Sequence, residues 1–172
     1  PRMPFVFEHH APETYRRKAR FISVAMAAQL IVLGLLFSQL LVAAYGSSLW
    51  LNALGVLLGL LATSLIFAVL RERPWMKEMR YVWQLKHHLS RTSGYLATLR
   101  REMDRGNGVA LDLMTFYHQG MAQLAELNGR TLDDDAELLA ERLRVQQLRE
   151  EQGLPAQVEG FDPHDLAAFK RT

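Results

Sequence analysis

The sequence contains no cysteine, and it contains no charged residue and no histidine between positions 21 and 70. Without cysteine the chain cannot form a disulfide, a thiolate metal site or a thiol nucleophile. Fifty consecutive residues without Asp, Glu, Lys, Arg or His exceed what one core helix of a soluble protein needs. The block therefore indicates membrane-spanning segments.

The apolar block divides into two candidate spans, residues 21–45 and residues 49–70, separated by Gly46-Ser47-Ser48. As helices they would measure about 37 Å and about 33 Å, long enough to cross a bilayer with some tilt. We therefore predict a two-helix transmembrane hairpin over residues 21–70. A cleaved signal peptide is the alternative, but the first apolar region is too long and a second span follows at once.

Basic residues lie on both sides of the block, and none lies in the turn. They are Arg16, Arg17, Lys18 and Arg20 before it, and Arg71, Arg73, Lys77 and Arg80 after it. Positive residues stay on the cytoplasmic side of a membrane, so both termini are expected there, with residues 1–20 as a cytoplasmic segment.

Small residues recur inside the spans, and they indicate close helix packing. Gly55, Gly59 and Thr63 form one row at intervals of four, and the turn places them opposite Gly34 and Ser38. Such rows let helix backbones approach closely, either within the hairpin or between two copies of the chain. We favour the hairpin and retain the dimer as the alternative.

The remaining chain reads as helical, with a cytoplasmic bundle of about three amphipathic helices over residues 71–152 and no β-rich segment. We predict helices over residues 74–105 and 109–127, and a third capped by Thr131 with Asp133, Asp134 and Asp135 in its first turn. Residues 153–172 are predicted to be a loose tail with one short helix at 163–169 capped by Asp162. The first bundle helix has heptad-like spacing, which predicts a coiled-coil seam for a homo-oligomer along Val82, Leu85, Leu89, Leu96, Leu99 and Met103.

Candidate chemistry is sparse. His9-His10 and His87-His88 are adjacent pairs that cannot chelate one metal on a helix, and His118 has no acidic or histidine partner within one turn. We therefore predict no metal site, no cofactor and no enzymatic activity. The basic residues Arg71, Arg73 and Arg80, with Trp75, are candidates for contact with lipid headgroups. A nucleic-acid surface is less favoured because no binding motif is present.

Three stretches carry a family resemblance: residues 50–59 (WLNALGVLLG), 81–86 (YVWQLK) and 116–120 (FYHQG). With these, the sequence over most of residues 12–150 resembles the bacterial inner-membrane proteins called domain of unknown function 3087. The resemblance implies a multi-pass protein of the bacterial inner (cytoplasmic) membrane. It implies no activity and no catalytic residues.

Two functions remain in view. The first is a non-enzymatic assembly, scaffold or accessory role through the cytoplasmic helices, with the lipid bilayer and a homo-oligomer or larger membrane complex as partners. The alternative is a membrane protein that binds a lipid or small ligand at the basic residues next to the membrane.

Overall fold

The computed structural model describes residues 4–171, and it is mostly helical. The elements are β1 (Phe5–Val6), α1 (Pro12–Tyr45), α2 (Leu49–Leu70), α3 (Lys77–Ser93), α4 (Leu96–Asp104), α5 (Gly108–Leu127), α6 (Ala136–Glu151) and β2 (Gly160–Phe161), with 3-10 turns at Pro74–Met76 and Pro163–Ala168. The chain forms two compact units. We call residues 14–80 the two-helix unit, and residues 4–13 with 81–171 the bundle unit.

Helices α1 and α2 are both long and apolar enough to cross a membrane. Helix α1 begins at Pro12, so the basic residues 16–20 and the apolar residues share one continuous helix. Most large apolar side chains on the two helices are exposed, whereas Gly34, Gly55 and Gly59 are buried. This is the reverse of a water-soluble core, which buries large apolar side chains.

A three-residue turn joins α1 to α2. Gly46 has a φ of +86°, a left-handed conformation that favours glycine, and its N–H donates to the carbonyl of Val42 at 2.8 Å. Ser48 then caps α2 by accepting a hydrogen bond from the N–H of Trp50 at 3.2 Å. Local sequence thus ends one helix and starts the next within three residues.

The predicted single helix over residues 74–105 is wrong, because the structure breaks it between α3 and α4. The N–H groups of Gly94 and Tyr95 bond three residues back, to Arg91 and Thr92, so the α-helical pattern ends there. The hydroxyl of Ser93 also donates to the carbonyl of Ser90. A glycine such as Gly94 is unfavourable in the interior of a helix. The bundle unit therefore contains four helices rather than three, and the heptad pattern does not continue through residue 94.

Helix α6 begins four residues later than the sequence predicts, at Ala136. Asp135 caps it by accepting a hydrogen bond from the N–H of Leu138 at 3.0 Å, and Thr131 lies before the helix. Asp133 and Asp134 lie in the preceding turn, so their predicted place in the first turn of the helix is also wrong. Thr131, Asp133, Asp134 and Asp135 are all residue types that cap helices, and sequence spacing alone does not determine which of them is the cap.

Helix α5 carries the largest part of the core of the bundle unit. It buries side chains on nearly every side, among them Leu111, Met114 and Phe116, each fully covered. Helix α3 approaches it where α5 has Gly120. A Cβ built there would lie 2.7 Å from a methyl carbon of Leu89, so the glycine makes room for that leucine.

A short antiparallel ladder joins the two ends of the described chain, which the sequence did not predict. Phe5 pairs with Phe161 and Val6 with Gly160. The ring of Phe161 stacks on that of Phe116 with centroids 4.4 Å apart, and Phe5 contacts Phe116 edge-on. The expectation of a loose tail is therefore wrong. The tail also contains the 3-10 turn Pro163–Ala168, which Asp162 caps by accepting from the N–H of His164.

Candidate functional site

The small residues of α1 and α2 meet in the structure. A Cβ built on Gly55 would lie 2.7 Å from the Cα of Ser38, and one built on Gly59 would lie 3.0 Å from the Cα of Gly34. The hydroxyl of Ser38 also donates to the side-chain oxygen of Asn52 at 2.7 Å. The hydroxyl of Thr63 is buried without a hydrogen-bond partner among residues 4–171. Both glycines thus face α1 of their own chain, with no room for a side chain.

Two of the four residues predicted to contact lipid headgroups line one apolar recess of the two-helix unit. The recess has a volume of about 350 Å³, and its walls are Phe21, Ile22, Ala25, Met26, Leu70, Arg73, Trp75 and Met76. Arg71 instead pairs with Glu72 at 3.3 Å in solvent. Neither Arg71 nor Arg80 lines the recess.

A lysine and a carboxylate fix the edge of this recess. Lys18 Nζ donates to the carbonyl of Trp75 at 3.1 Å and to Glu78 Oε2 at 2.9 Å, and it lies 5.3 Å from the centroid of the indole ring. Burial acts to raise the pKa of Glu78, but hydrogen bonds from Lys18 and from its own backbone, with the charges of Lys18 and Lys77, together outweigh burial and the pKa is lowered. Trp75 is therefore held on both its carbonyl and its ring face, while the side chain remains partly exposed.

The predicted oligomer seam lies inside the chain, and as an open seam the prediction is wrong. Val82, Leu85, Leu89, Leu99 and Met103 are all buried in the isolated chain, and Leu96 is half-buried. Leu85 and Leu89 lie against α5 at Gly120. An apolar stripe at helical spacing fits an intramolecular partner as well as an intermolecular one, and here the partner belongs to the same chain.

The bundle unit contains a cavity of about 430 Å³ with a mixed polar and apolar lining, which we call the polar cavity. The lining side chains used below are Thr115, His118, Gln119, Gln123 and Arg142, with Glu8 and Glu126 also contributing. A pocket of this size with a few convergent polar groups is a usual form of a small-molecule site.

His118 is the most buried polar group of the polar cavity, with 4% of its surface exposed. Its Nε2 lies 2.8 Å from Glu141 Oε1, and the other oxygen of Glu141 accepts a hydrogen bond from Arg100 Nε. Burial lowers the pKa of His118, although Glu141 acts in the opposite direction. The neutral ring therefore donates from Nε2 to the carboxylate, and Nδ1 is the acceptor nitrogen.

The sequence did not identify the His118–Glu141 pair. Sequence spacing indicates partners within one helical turn, whereas Glu141 lies 23 residues away on α6. A pattern confined to one helix carries no signal for such a contact. Across residues 4–171, no three His, Asp or Glu side chains converge in a group that could hold a metal ion.

Two glutamines make one wall of the polar cavity rigid. The Gln119 amide donates to the carbonyl of Val158 at 3.1 Å and accepts from its N–H at 3.2 Å. Gln123 accepts from the hydroxyl of Tyr81 and donates to the carbonyl of Glu8 at 2.7 Å. Gln119 and Gln123 of α5 thus hold the segments at Val158 and Glu8 beside the cavity.

The helices and their exposed apolar surfaces define a class, that of mostly helical proteins with two helices able to span a membrane. Within that class, the chain belongs to the family described as Protein of unknown function (DUF3087), whose model matches residues 5–166. The predicted family is confirmed, over a longer part of the chain than the resemblance covered. Neither the curated proteins nor the solved structures contain a match.

Proposed function

We propose that this protein is an integral protein of the bacterial inner membrane, in which α1 and α2 form a transmembrane hairpin. The observation that carries the proposal is the exposure of large apolar side chains along both helices while their glycines are buried. Basic residues at both ends of the helix pair and none in the turn support cytoplasmic termini and a cytoplasmic bundle unit.

The role that we propose for the bundle unit is non-enzymatic assembly, with a second copy or with a larger membrane complex. The predicted seam is covered, so the contact must use another surface. Helix α6 exposes Leu139 and Leu143, one turn apart, with 37% and 56% of their surfaces accessible. Two neighbouring leucines at this spacing form a small apolar face suited to a partner helix.

The absence of cysteine makes crosslinking a clean test of this role. A single Leu143→Cys variant should form a disulfide-linked dimer under mild oxidation in native membranes if α6 meets its own copy. Ala97→Cys on α4, also at an exposed position, is the matched control and should stay monomeric. If Leu143→Cys forms no adduct and no protein copurifies in mild detergent, the assembly role is contradicted.

A second candidate function, lipid binding, is favoured by the apolar recess. Its lining is apolar apart from Arg73, and Trp75 stands at its edge where amphipathic aromatic residues favour the membrane interface. The matching ligand is an anionic phospholipid, with an acyl chain in the recess and its phosphate at Arg73.

Native mass spectrometry of gently extracted protein tests this second candidate. Arg73→Gln should reduce retained anionic phospholipid, whereas Arg71→Gln should not, because Arg71 pairs with Glu72 outside the recess. Ala25→Leu, which fills the recess, should also reduce retention. Equal retention by all four proteins, wild type included, would exclude the recess as a lipid site.

A further inference from the structure

The polar cavity contains an arginine, Arg142, that has no ion-pair partner among residues 4–171. Arg142 lines the cavity and is half-buried. Its side chain forms no ion pair or hydrogen bond with any residue that the structure describes. The other arginines of α6 differ, since Arg144 lies 3.7 Å from Asp104 and the buried Arg149 lies 2.6 Å from Asp112. A half-buried, unpaired guanidinium has lost part of its hydration without gaining a counterion.

His118 is a second polar group in the lining of the same cavity. His118 is more than nine-tenths buried, and its Nε2 is committed to Glu141. Its Nδ1 has no hydrogen-bond partner in the part of the chain that the structure covers. Glu141 and Arg100 hold the ring in place from behind, so the orientation of the imidazole is fixed before any ligand arrives.

Carboxylates of opposite charge to Arg142 also line the polar cavity, at exposed positions. Glu8 and Glu126 are both exposed, in contrast to the half-buried Arg142. A simple anion would be attracted by Arg142 and repelled by these two carboxylates. A molecule with an anionic end and a cationic end matches both, because each end meets the opposite charge.

We propose that the polar cavity binds a small zwitterion of the amino-acid class, with its carboxylate on Arg142 and its ammonium group toward Glu126 and Glu8. Guanidinium binds carboxylates through two parallel hydrogen bonds, which gives Arg142 the role of anchor. The acceptor nitrogen of His118 supplies a further site for an N–H or O–H of the ligand. The volume of about 430 Å³ lies in the range of small-molecule pockets.

Calorimetric titration of the full-length protein in detergent tests the proposal. The probes are a panel of free amino acids, with acetate for the carboxylate alone and methylamine for the ammonium group alone. At least one amino acid should bind about tenfold or more tightly than acetate, a difference that corresponds to one charge-assisted contact. Arg142→Gln should weaken that binding by about tenfold or more, and Arg144→Gln, on the same helix outside the cavity, should not.

Two further measurements locate the ligand and control for folding. Ring signals of labelled His118 should shift during the titration while those of the exposed His164 stay unchanged. Glu126→Gln should reduce the preference for the amino acid over acetate. Thermal unfolding of each variant establishes that it is folded. If no probe binds, if acetate binds as tightly as the amino acids, or if Arg142→Gln and Arg144→Gln behave alike, the proposal is overturned.

Discussion

At the scale of single residues, the burial of His118 should make the free energy of unfolding depend on pH. Burial lowers its pKa in the folded protein, whereas the unfolded chain keeps the ordinary value near 6.5. As pH falls below that value, the unfolded chain binds the proton first. The free energy of unfolding should therefore decrease as the pH falls from about 6.5 to the folded-state pKa of His118. Above about pH 6.5, the contribution of His118 to this free energy should be constant.

Denaturant unfolding of wild type and His118→Gln over a series of pH values measures this contribution. Other titrating groups affect both proteins, so the difference between the two curves isolates His118. The wild type should lose more stability than the variant on acidification. Parallel curves would show that His118 does not carry the effect.

The burial and the hydrogen bonds of Arg149 indicate a structural role. It is 2% exposed, and it donates to the carbonyl of Pro155, to Asp112 Oδ1 and to the hydroxyl of Thr115. We expect Arg149→Met to lower the free energy of unfolding by about 2 kcal/mol, the scale of a lost charge-assisted hydrogen bond.

The matched control is Arg144→Met on the same helix. Arg144 is half-exposed, and its pairing distance to Asp104 is 3.7 Å, so its loss should cost less than about 0.5 kcal/mol. Equal losses in the two variants, measured by denaturant unfolding, would contradict the assignment of Arg149 as a structural link between α6 and α5.

At the scale of elements, the contact between α1 and α2 depends on glycine. A side chain at position 55 would meet the backbone of Ser38, which cannot move aside as a side-chain end can. Gly55→Leu should therefore separate the helices and lower thermal stability in detergent and the amount of protein in the membrane.

Ala53→Leu, two residues away at an exposed position, is the control and should be tolerated. Gly59→Leu should resemble Gly55→Leu, since position 59 meets the backbone of Gly34. If both glycine variants remain stable but lose a wild-type dimer, the glycines serve contact between chains instead.

The β1–β2 ladder also requires glycine at one position, Gly160. A Cβ on Gly160 would overlap the carbonyl oxygen of Phe5. Gly160→Ala should therefore detach β1, while the 3-10 turn that Asp162 caps remains. Hydrogen exchange should show faster exchange at the amide of Phe7, which donates to the carbonyl of Glu159 at 2.9 Å. Unchanged protection at Phe7 would mean that the ladder tolerates the side chain.

At the scale of the whole molecule, the proposed arrangement across a membrane is the property to test. Ser47 lies in the turn between α1 and α2, and Ser93 ends α3, both at exposed positions. With cytoplasmic termini, Ser47→Cys should react with a membrane-impermeant maleimide in cells whose outer membrane has been opened. Ser93→Cys should react only after the inner membrane is lysed. The opposite pattern would reverse the orientation.

Local composition determined much of this protein. The charge-free block predicts α1 and α2, Gly46 and Ser48 mark the turn, and the family could be identified from short stretches of sequence. These features depend on neighbouring residues, because helix formation and transfer into an apolar environment act over one turn or one span.

Tertiary structure alone decided the rest. The break at Gly94 replaced a continuous heptad helix with two helices that pack in the same core, and that core covers the predicted seam. The pairing of His118 with Glu141, and of Phe5 with Phe161, joins residues far apart in sequence. No local periodicity encodes such contacts, since they depend on how the helices dock. For that reason the polar cavity and its unpaired Arg142 emerge only from the folded chain.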